Sequence, residues 1–126
     1  MIVDPDIKAA QELSSLLIDE GYDIETSEGI RKAAERVKDV QFDCVIMDVD
    51  LPEMKGYEAV PIMKAIDPKL QIIMTAAENT IDLEAEVRKQ DIFYYCIKPF
   101  DRVELKEAVQ GVFKKVGKIE GVIRNE

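Results

Sequence analysis

Short apolar runs alternate along the chain with longer segments whose apolar residues recur every three or four positions. We interpret the short runs as five β-strands, at residues 1–3, 22–26, 44–48, 71–75 and 93–97. We interpret the longer segments as five amphipathic helices, with apolar faces in residues 9–17, 30–37, 57–66, 81–90 and 105–116. Five strand–helix units predict a doubly wound α/β fold, with a five-stranded parallel sheet, right-handed crossovers and helices on both faces.

Two of the predicted helices carry irregular features. Pro61 falls inside the third helix, which we place after Gly56, so this helix is expected either to start late or to be kinked. The fourth helix, about residues 81–90, has only Leu83 and Val87 in good apolar spacing. That spacing predicts a thin packing face and a mobile element.

Length and composition limit the classes of function. A chain of 126 residues with 34% charged residues is typical of one globular domain, which we expect over residues 1–117, with 118–126 as a C-terminal tail or linker stub. The net charge of −9 argues against direct nucleic-acid binding by this domain. No apolar run approaches the roughly 20 residues of a membrane span, and no signal peptide opens the chain. We therefore expect a cytoplasmic protein that does not enter the membrane.

Cysteine and histidine usage excludes two kinds of site. The sequence has no histidine, and its two cysteines, Cys44 and Cys96, lie in apolar strand-like runs. This pattern predicts buried reduced thiols rather than a zinc site or a disulfide framework.

Polar side chains end four of the predicted strands. They are Asp4 after the first strand, Asp48 at the end of the third, Thr75 at the end of the fourth and Lys98 after the fifth. Because the carboxyl ends of parallel strands meet at one edge of the sheet, we expect these side chains to lie close together. Each alone is more often a turn, cap or loop residue. Four of them in this order favour a site for a divalent cation and a phosphoryl group.

The expected site has the parts needed for phosphoryl transfer to a carboxylate. Asp48 becomes an effective nucleophile when a metal ion and a cation neutralise the phosphoryl oxygens, and the product is an aspartyl phosphate. Lys98, fixed by Pro99, offers a point charge, and Thr75 offers a hydroxyl. Magnesium prefers hard oxygen ligands, and the candidates are Asp4, Asp6, Asp48 and the main-chain carbonyl of Asp50.

Three segments carry a resemblance to a known family. The run from Asp48 to Gly56, with Pro52, resembles the phosphoacceptor segment of the receiver domains of bacterial two-component response regulators. The Met74-Thr75-Ala76 and Lys98-Pro99-Phe100 segments are similar to the switch-threonine and lysine segments of that family. The resemblance covers essentially the whole chain and implies the flavodoxin-like receiver fold.

The resemblance also implies a function as a phosphorylation-controlled switch. Asp48 would take a phosphoryl group from a histidine kinase or phosphotransfer protein with the help of Mg²⁺, and Thr75 and Lys98 would contact the phosphoryl oxygens. Tyr95 would be the switch aromatic, whose rotamer follows Thr75. The fourth helix, fifth strand and fifth helix would form the surface for an output domain or a homodimer. Beyond its own phosphoryl transfer and slow autodephosphorylation, the domain would not be an enzyme.

One departure from the family pattern affects the metal site. Receivers usually carry two adjacent acids after the first strand, and the second of them usually ligates magnesium. Here Asp4 matches the first acid, Pro5 falls on the second, and Asp6 follows one place late. Because proline has no carboxylate, we expect weakened metal binding unless Asp6 or Asp50 supplies the missing ligand.

Two other functions fit parts of the pattern. A pseudo-receiver has the same fold but acts as an interaction module without phosphorylation. Pro5 favours this alternative, whereas the intact phosphoacceptor, threonine and lysine oppose it. A haloacid-type phosphatase would use Asp48 and Asp50 as a nucleophile pair, but the chain lacks room for the cap domain of such enzymes.

Overall fold

The computed structural model describes residues 1–117 and, within them, five strands and five helices that alternate along the chain. The strands are β1 (Ile2–Val3), β2 (Thr26–Ser27), β3 (Cys44–Asp48), β4 (Gln71–Ala76) and β5 (Tyr94–Ile97). The helices are α1 (Ile7–Asp19), α2 (Ile30–Asp39), α3 (Gly56–Ile66), α4 (Ile81–Arg88) and α5 (Arg102–Lys115). The tail predicted at 118–126 lies outside the described residues.

All five strands belong to one parallel sheet with the order β2-β1-β3-β4-β5. Helices α1 and α5 pack on one face of the sheet, and α2, α3 and α4 pack on the other. The prediction of a doubly wound α/β fold is therefore confirmed. The direction of winding reverses between β1 and β3, and in such sheets ligands bind at the carboxyl ends of the strands beside that point.

The central strands show why continuous apolar runs in the sequence predict strands of a buried parallel sheet. In β3, Val45 and Met47 pack on the side of α2, α3 and α4, whereas Ile46 packs on the side of α1 and α5. A strand covered on both faces selects apolar residues at every position. The register of β3 and β4 pairs Asp48 with Thr75, which sets these two residues side by side at the sheet edge.

The predicted edge strand was wrong in its position. Pairing with β1 begins at Thr26, so β2 is Thr26–Ser27 rather than residues 22–26. Tyr22 and Ile24 instead pack against the core on the side of α1 and α5, as part of the connection from α1. Their apolar alternation came from packing rather than from strand pairing.

The observed bounds of α3 and α4 can be compared with the predictions made for these two helices. Of the two alternatives for α3, the late start is excluded, because the helix begins at Gly56 and continues through Pro61, which lies on its exposed side. Helix α4 ends at Arg88, two residues before the predicted end, and Val87 is its buried residue, in agreement with a thin packing face. Within residues 1–117, no helix is both long and apolar enough to cross a lipid bilayer.

Candidate functional site

The carboxyl edge of the sheet brings together four of the predicted site residues, which are Asp4, Asp48, Thr75 and Lys98. The two aspartates are each 5% exposed, and the threonine is 1% exposed. Burial of a carboxylate is unfavourable unless the group is hydrogen-bonded or paired with a charge. The contacts of these side chains therefore determine what chemistry the site supports.

Both carboxylate oxygens of Asp48 accept hydrogen bonds. The Thr75 hydroxyl donates to Oδ1 over 3.1 Å, and the main-chain N–H of Asp50 donates to Oδ2 over 2.9 Å. Lys98 Nζ lies 3.0 Å from Asp48 Oδ1 and 2.7 Å from Asp4 Oδ2, so a single ammonium bridges two carboxylates. A group bound to Asp48 would meet a hydroxyl donor and a compact positive charge.

Burial and charge pairing have opposite effects on the pKa values of Asp4 and Lys98. Burial raises the pKa of the Asp4 carboxyl, and the hydrogen bond from Lys98 offsets only part of that effect. For Lys98, burial alone would lower the pKa, but the hydrogen bonds and charges of Asp4 and Asp48 outweigh burial and raise it. Lys98 therefore carries its positive charge at neutral pH.

Replacement of Asp4 by asparagine is expected to stabilise the metal-free fold at neutral pH. Because the Asp4 pKa is raised in the folded state, ionisation of this group costs stability as the pH rises from its ordinary value of 3.8 through the folded value. Asp4→Asn stays neutral and keeps an oxygen acceptor. Its unfolding temperature should exceed that of wild type at neutral pH and should equal that of wild type at pH values below 3.8, where the Asp4 carboxyl is protonated in both states. Thermal unfolding across a pH series without magnesium would measure this. A variant less stable than wild type at neutral pH would mean that the Lys98 ion pair outweighs the cost of burial.

The structure does not bring Asp6 into the cluster. Asp6 is the N-cap of α1, and its carboxylate accepts a hydrogen bond from the Ala9 N–H over 3.2 Å. Its own N–H donates to Asp4 Oδ1 over 2.8 Å, which closes a tight turn around Pro5. The proposed substitution of Asp6 for the missing acid would require this cap to open. Among residues 1–117, no three acidic, cysteine or histidine side chains form a metal-binding group.

The loop between β3 and α3 is held against Asp48 by its backbone. The Gly56 N–H donates to the Val49 carbonyl over 2.7 Å, and a Cβ at position 56 would overlap the main-chain oxygen of Asp48. Glycine is therefore required at this position by close packing.

The carboxylate of Asp50 points outward to an exposed ion pair with Lys55, with an O–N distance of 2.8 Å. As with Asp6, the Asp50 side chain is already occupied by another contact.

The donor set that remains fits a minimal magnesium site. It consists of the carboxylates of Asp4 and Asp48 and the main-chain carbonyl of Asp50, which are hard oxygen donors. Magnesium commonly takes only one or two protein carboxylates and completes its shell with water and phosphate oxygens. These donors agree in kind and number with the protein ligands that magnesium commonly takes.

Tyr95 lies inside the fold and is connected to the loop that precedes α4. It is 7% exposed, and its hydroxyl donates to Asn79 Oδ1 over 2.8 Å. The Asn79 amide in turn donates to Glu84 of α4, and Arg88 lies over the tyrosine ring with its guanidinium carbon 5.6 Å from the ring centre. Burial raises the pKa of Tyr95, so its hydroxyl stays protonated. Asn79 was not recognised from the sequence, because an asparagine in a loop gives no signal of its partner.

Neither cysteine contacts the Asp48 cluster: Cys44 lies at the start of β3, at the opposite end from Asp48, and Cys96 lies beside Thr75 in the sheet but binds α5. Cys96 is buried on the side of α5 and donates to Glu104, and Cys44 is half-buried. Burial raises the pKa of each thiol to about 12, so both are protonated at neutral pH. Neither is a reactive nucleophile.

Comparison with known proteins gives consistent matches. Residues 1–110 match the family described as the response regulator receiver domain. The chain is 30% identical over 110 residues to transcriptional regulatory protein ZraR of Escherichia coli (strain K12), which covers 87% of this chain and 25% of ZraR. It is 31% identical over 116 residues to chemotaxis protein CheY of Thermotoga maritima, which covers 90% of this chain and 96% of CheY. The chain thus spans about a quarter of the length of ZraR.

A solved structure with the same fold contains a metal ion. The receiver domain of sensor histidine kinase PA1611 from Pseudomonas aeruginosa PAO1 has a TM-score of 0.82 and 22% sequence identity, and the match covers 90% of this chain and 94% of that chain. That receiver domain was crystallised with a magnesium ion coordinated in its active-site cleft.

Proposed function

Because this chain belongs to the response regulator receiver domain family, we propose that it is a phosphoacceptor in two-component signalling in the cytoplasm. Asp48 takes a phosphoryl group from a histidine kinase or phosphotransfer protein, and phosphorylation shifts the domain between two conformations. The observation that carries this proposal is the setting of Asp48. Its buried carboxylate lies at the sheet edge in contact with the Thr75 hydroxyl and the Lys98 ammonium.

The proposed transfer exchanges one bond at phosphorus for another. A carboxylate oxygen of Asp48 forms the new P–O bond while the P–N bond to the donor histidine breaks, and the bonding electron pair leaves with the imidazole nitrogen. Lys98, 3.0 Å from Asp48, neutralises charge that the phosphoryl group brings into the site. Thr75 now donates to Asp48 and would donate instead to a phosphoryl oxygen. The domain performs no other catalysis than this transfer and slow autodephosphorylation.

We propose Asp4, Asp48 and the main-chain carbonyl of Asp50 as the protein ligands of magnesium. When bound, the ion adds further neutralisation of the phosphoryl oxygens. The proposal is supported by two buried carboxylates at this edge and by the magnesium ion in the cleft of the PA1611 receiver domain. Pro5 leaves the site with one acid fewer than usual, so we expect weak but usable binding at millimolar magnesium.

We propose that Thr75 and Tyr95 couple phosphorylation to the surface of α4, β5 and α5. The two residues lie on neighbouring paired strands, because Thr75 pairs with Cys96 and Met74 pairs with Tyr95. Movement of the Thr75 hydroxyl toward a phosphoryl group would change the packing beside Tyr95 and its bond to Asn79. The partner on this surface is an output domain or a second copy of the chain. ZraR, which is about four times as long as the matched segment, supports the first of these.

Thr75→Ala is expected to leave phosphorylation largely intact while reducing the structural response to it. The variant lacks the hydroxyl that would follow the phosphoryl group, but it keeps Asp48 and Lys98. Amide exchange or chemical shifts over residues 80–98, measured with and without a phosphodonor, should change several-fold less than in wild type. Equal responses in the two proteins would contradict the coupling between Thr75 and Tyr95.

The pseudo-receiver remains the second candidate function, and Pro5 together with the capped Asp6 favours it. One measurement distinguishes the two functions, namely the intact mass of the protein after incubation with acetyl phosphate or phosphoramidate and magnesium. A phosphoacceptor gains one phosphoryl group and loses it again over time. A pseudo-receiver stays unmodified at every accessible concentration of donor and metal.

A further inference from the structure

Helix α2 begins without a capping side chain of its own. Its N-cap residue is Gly29, and the acceptors for its first amides come from the loop between β3 and α3. The Ile30 N–H donates to Glu53 Oε1 over 3.1 Å, and the Arg31 N–H donates to Glu53 Oε2 over 3.3 Å. A carboxylate at this position satisfies two free donors and faces the positive end of the helix dipole. The cap of α2 is therefore supplied by a residue more than twenty positions away along the chain.

Gly29 and Glu53 fit each other in space. A Cβ at position 29 would lie 2.5 Å from Glu53 Oε1 and 2.8 Å from Oε2, so any side chain there would displace the carboxylate. The backbone of Gly29 is extended, with φ of −152°, a conformation open to any residue. Glycine is thus needed here for room rather than for backbone freedom. The hydrogen bond from Ile30 also lowers the pKa of Glu53, so the cap stays ionised at neutral pH.

The same loop shapes the phosphoacceptor site. Asp50, three positions before Glu53, donates its N–H to Asp48 Oδ2 over 2.9 Å, and its carbonyl is the main-chain ligand we propose for magnesium. After Glu53, the loop returns to the Gly56 N–H, which binds the Val49 carbonyl. The contact of Glu53 with α2 therefore fixes the outer part of a loop whose inner part touches Asp48.

We propose that Glu53 is a positioning residue, which ties the loop between β3 and α3 to the start of α2 and so holds the Asp50 amide and carbonyl in place. This inference rests on the proposed function in one respect, the role of the Asp50 carbonyl in magnesium binding. It adds that the position of the Asp50 main chain beside Asp48 depends on α2, a helix that contributes no side chain to the Asp48 cluster.

A pair of variants separates loop positioning from the stability of the helix. Glu53→Ala removes both the cap and the tie to the loop. The double variant Glu53→Ala/Gly29→Ser gives α2 a local serine cap in the space left by the carboxylate, but it does not restore the tie. Glu35→Ala, which removes one exposed charge from α2, is the matched control.

Glu53→Ala should lower the unfolding midpoint by about 4 °C, the effect of a lost cap in a domain of this size. It should also speed exchange of the Asp50 amide and weaken magnesium binding by about tenfold, as expected when a group that orients a ligand is removed. The double variant should recover the unfolding midpoint but keep the fast Asp50 exchange and the weak magnesium binding. Glu35→Ala should resemble wild type in all three measurements.

The inference is overturned if the Asp50 amide exchanges equally in Glu53→Ala and wild type, or if the double variant recovers exchange and magnesium affinity together with stability. The second result would show that Glu53 acts only through the stability of α2. Amide exchange is measured without a phosphodonor, so it decides this inference separately from the proposed function. The proposed function fails on a different result, namely a wild-type protein that forms no phosphoryl adduct.

Discussion

Asp48→Asn should abolish the phosphoryl adduct that wild type forms with acetyl phosphate or phosphoramidate in the presence of magnesium. The reason is chemical, because an amide oxygen lacks the negative charge that lets a carboxylate attack phosphorus. The reason is also geometric. Asp48 is the buried carboxylate on which the Thr75 hydroxyl and the Lys98 ammonium converge. Intact mass spectrometry should show one added phosphoryl group on wild type and none on the variant.

Asp50→Asn is the control for this experiment. Asp50 lies two positions away, and its exposed carboxylate pairs with Lys55, so its loss should leave the adduct in place. An adduct that survives Asp48→Asn, or that maps to Asp50 by peptide sequencing, would contradict the assignment. The second of these results would revive the haloacid-type alternative, in which two aspartates share the chemistry. Circular dichroism of the two variants would show that both remain folded.

The sheet and the core of the site could be predicted from the sequence for one physical reason. A parallel sheet buried on both faces requires continuous apolar strands, and the first polar residue after each strand emerges at the same edge. Asp4, Asp48 and Lys98 were found in this way, and the structure brings them within hydrogen-bond distance. The two-residue edge strand β2 was misplaced, because an edge strand this short leaves little apolar pattern.

What the sequence did not predict are the contacts that depend on distant partners. Whether Asp6 turns toward a metal or caps a helix depends on the geometry of the turn at Pro5, and in the structure it caps α1. Glu53 and Asn79 look like ordinary polar loop residues. Their partners are main-chain amides of α2 and the hydroxyl of Tyr95, which no local spacing reveals. Side-chain contacts between loops carry no periodicity, so they become visible only in three dimensions.

Pro5→Asp should tighten magnesium binding by about 10- to 100-fold, which is the usual change in metal affinity when a single group around a metal ion is added or removed. The wild-type donor set has two buried carboxylates, and the two nearby acids are engaged elsewhere, Asp6 at the cap of α1 and Asp50 with Lys55. A carboxylate at position 5 adds an oxygen ligand and a negative charge next to Asp4. Titration of magnesium, followed by chemical shifts or calorimetry, would measure the change.

Two further variants test the reasoning behind that expectation. Pro5→Ala removes the proline ring without adding a carboxylate, so it should bind magnesium as wild type does and show that the gain in Pro5→Asp comes from the acid. Asp6→Ala removes the α1 cap and should cost about 1 kcal/mol of stability. If Asp6 stays at the cap, magnesium affinity will not change, whereas a fall in affinity would mean that Asp6 leaves the helix to supply the missing ligand.

Unchanged affinity in Pro5→Asp would show that the site is complete without a second adjacent acid. In that case the departure at Pro5 would give no support to the pseudo-receiver, and only the absence of a phosphoryl adduct on wild type would favour that function.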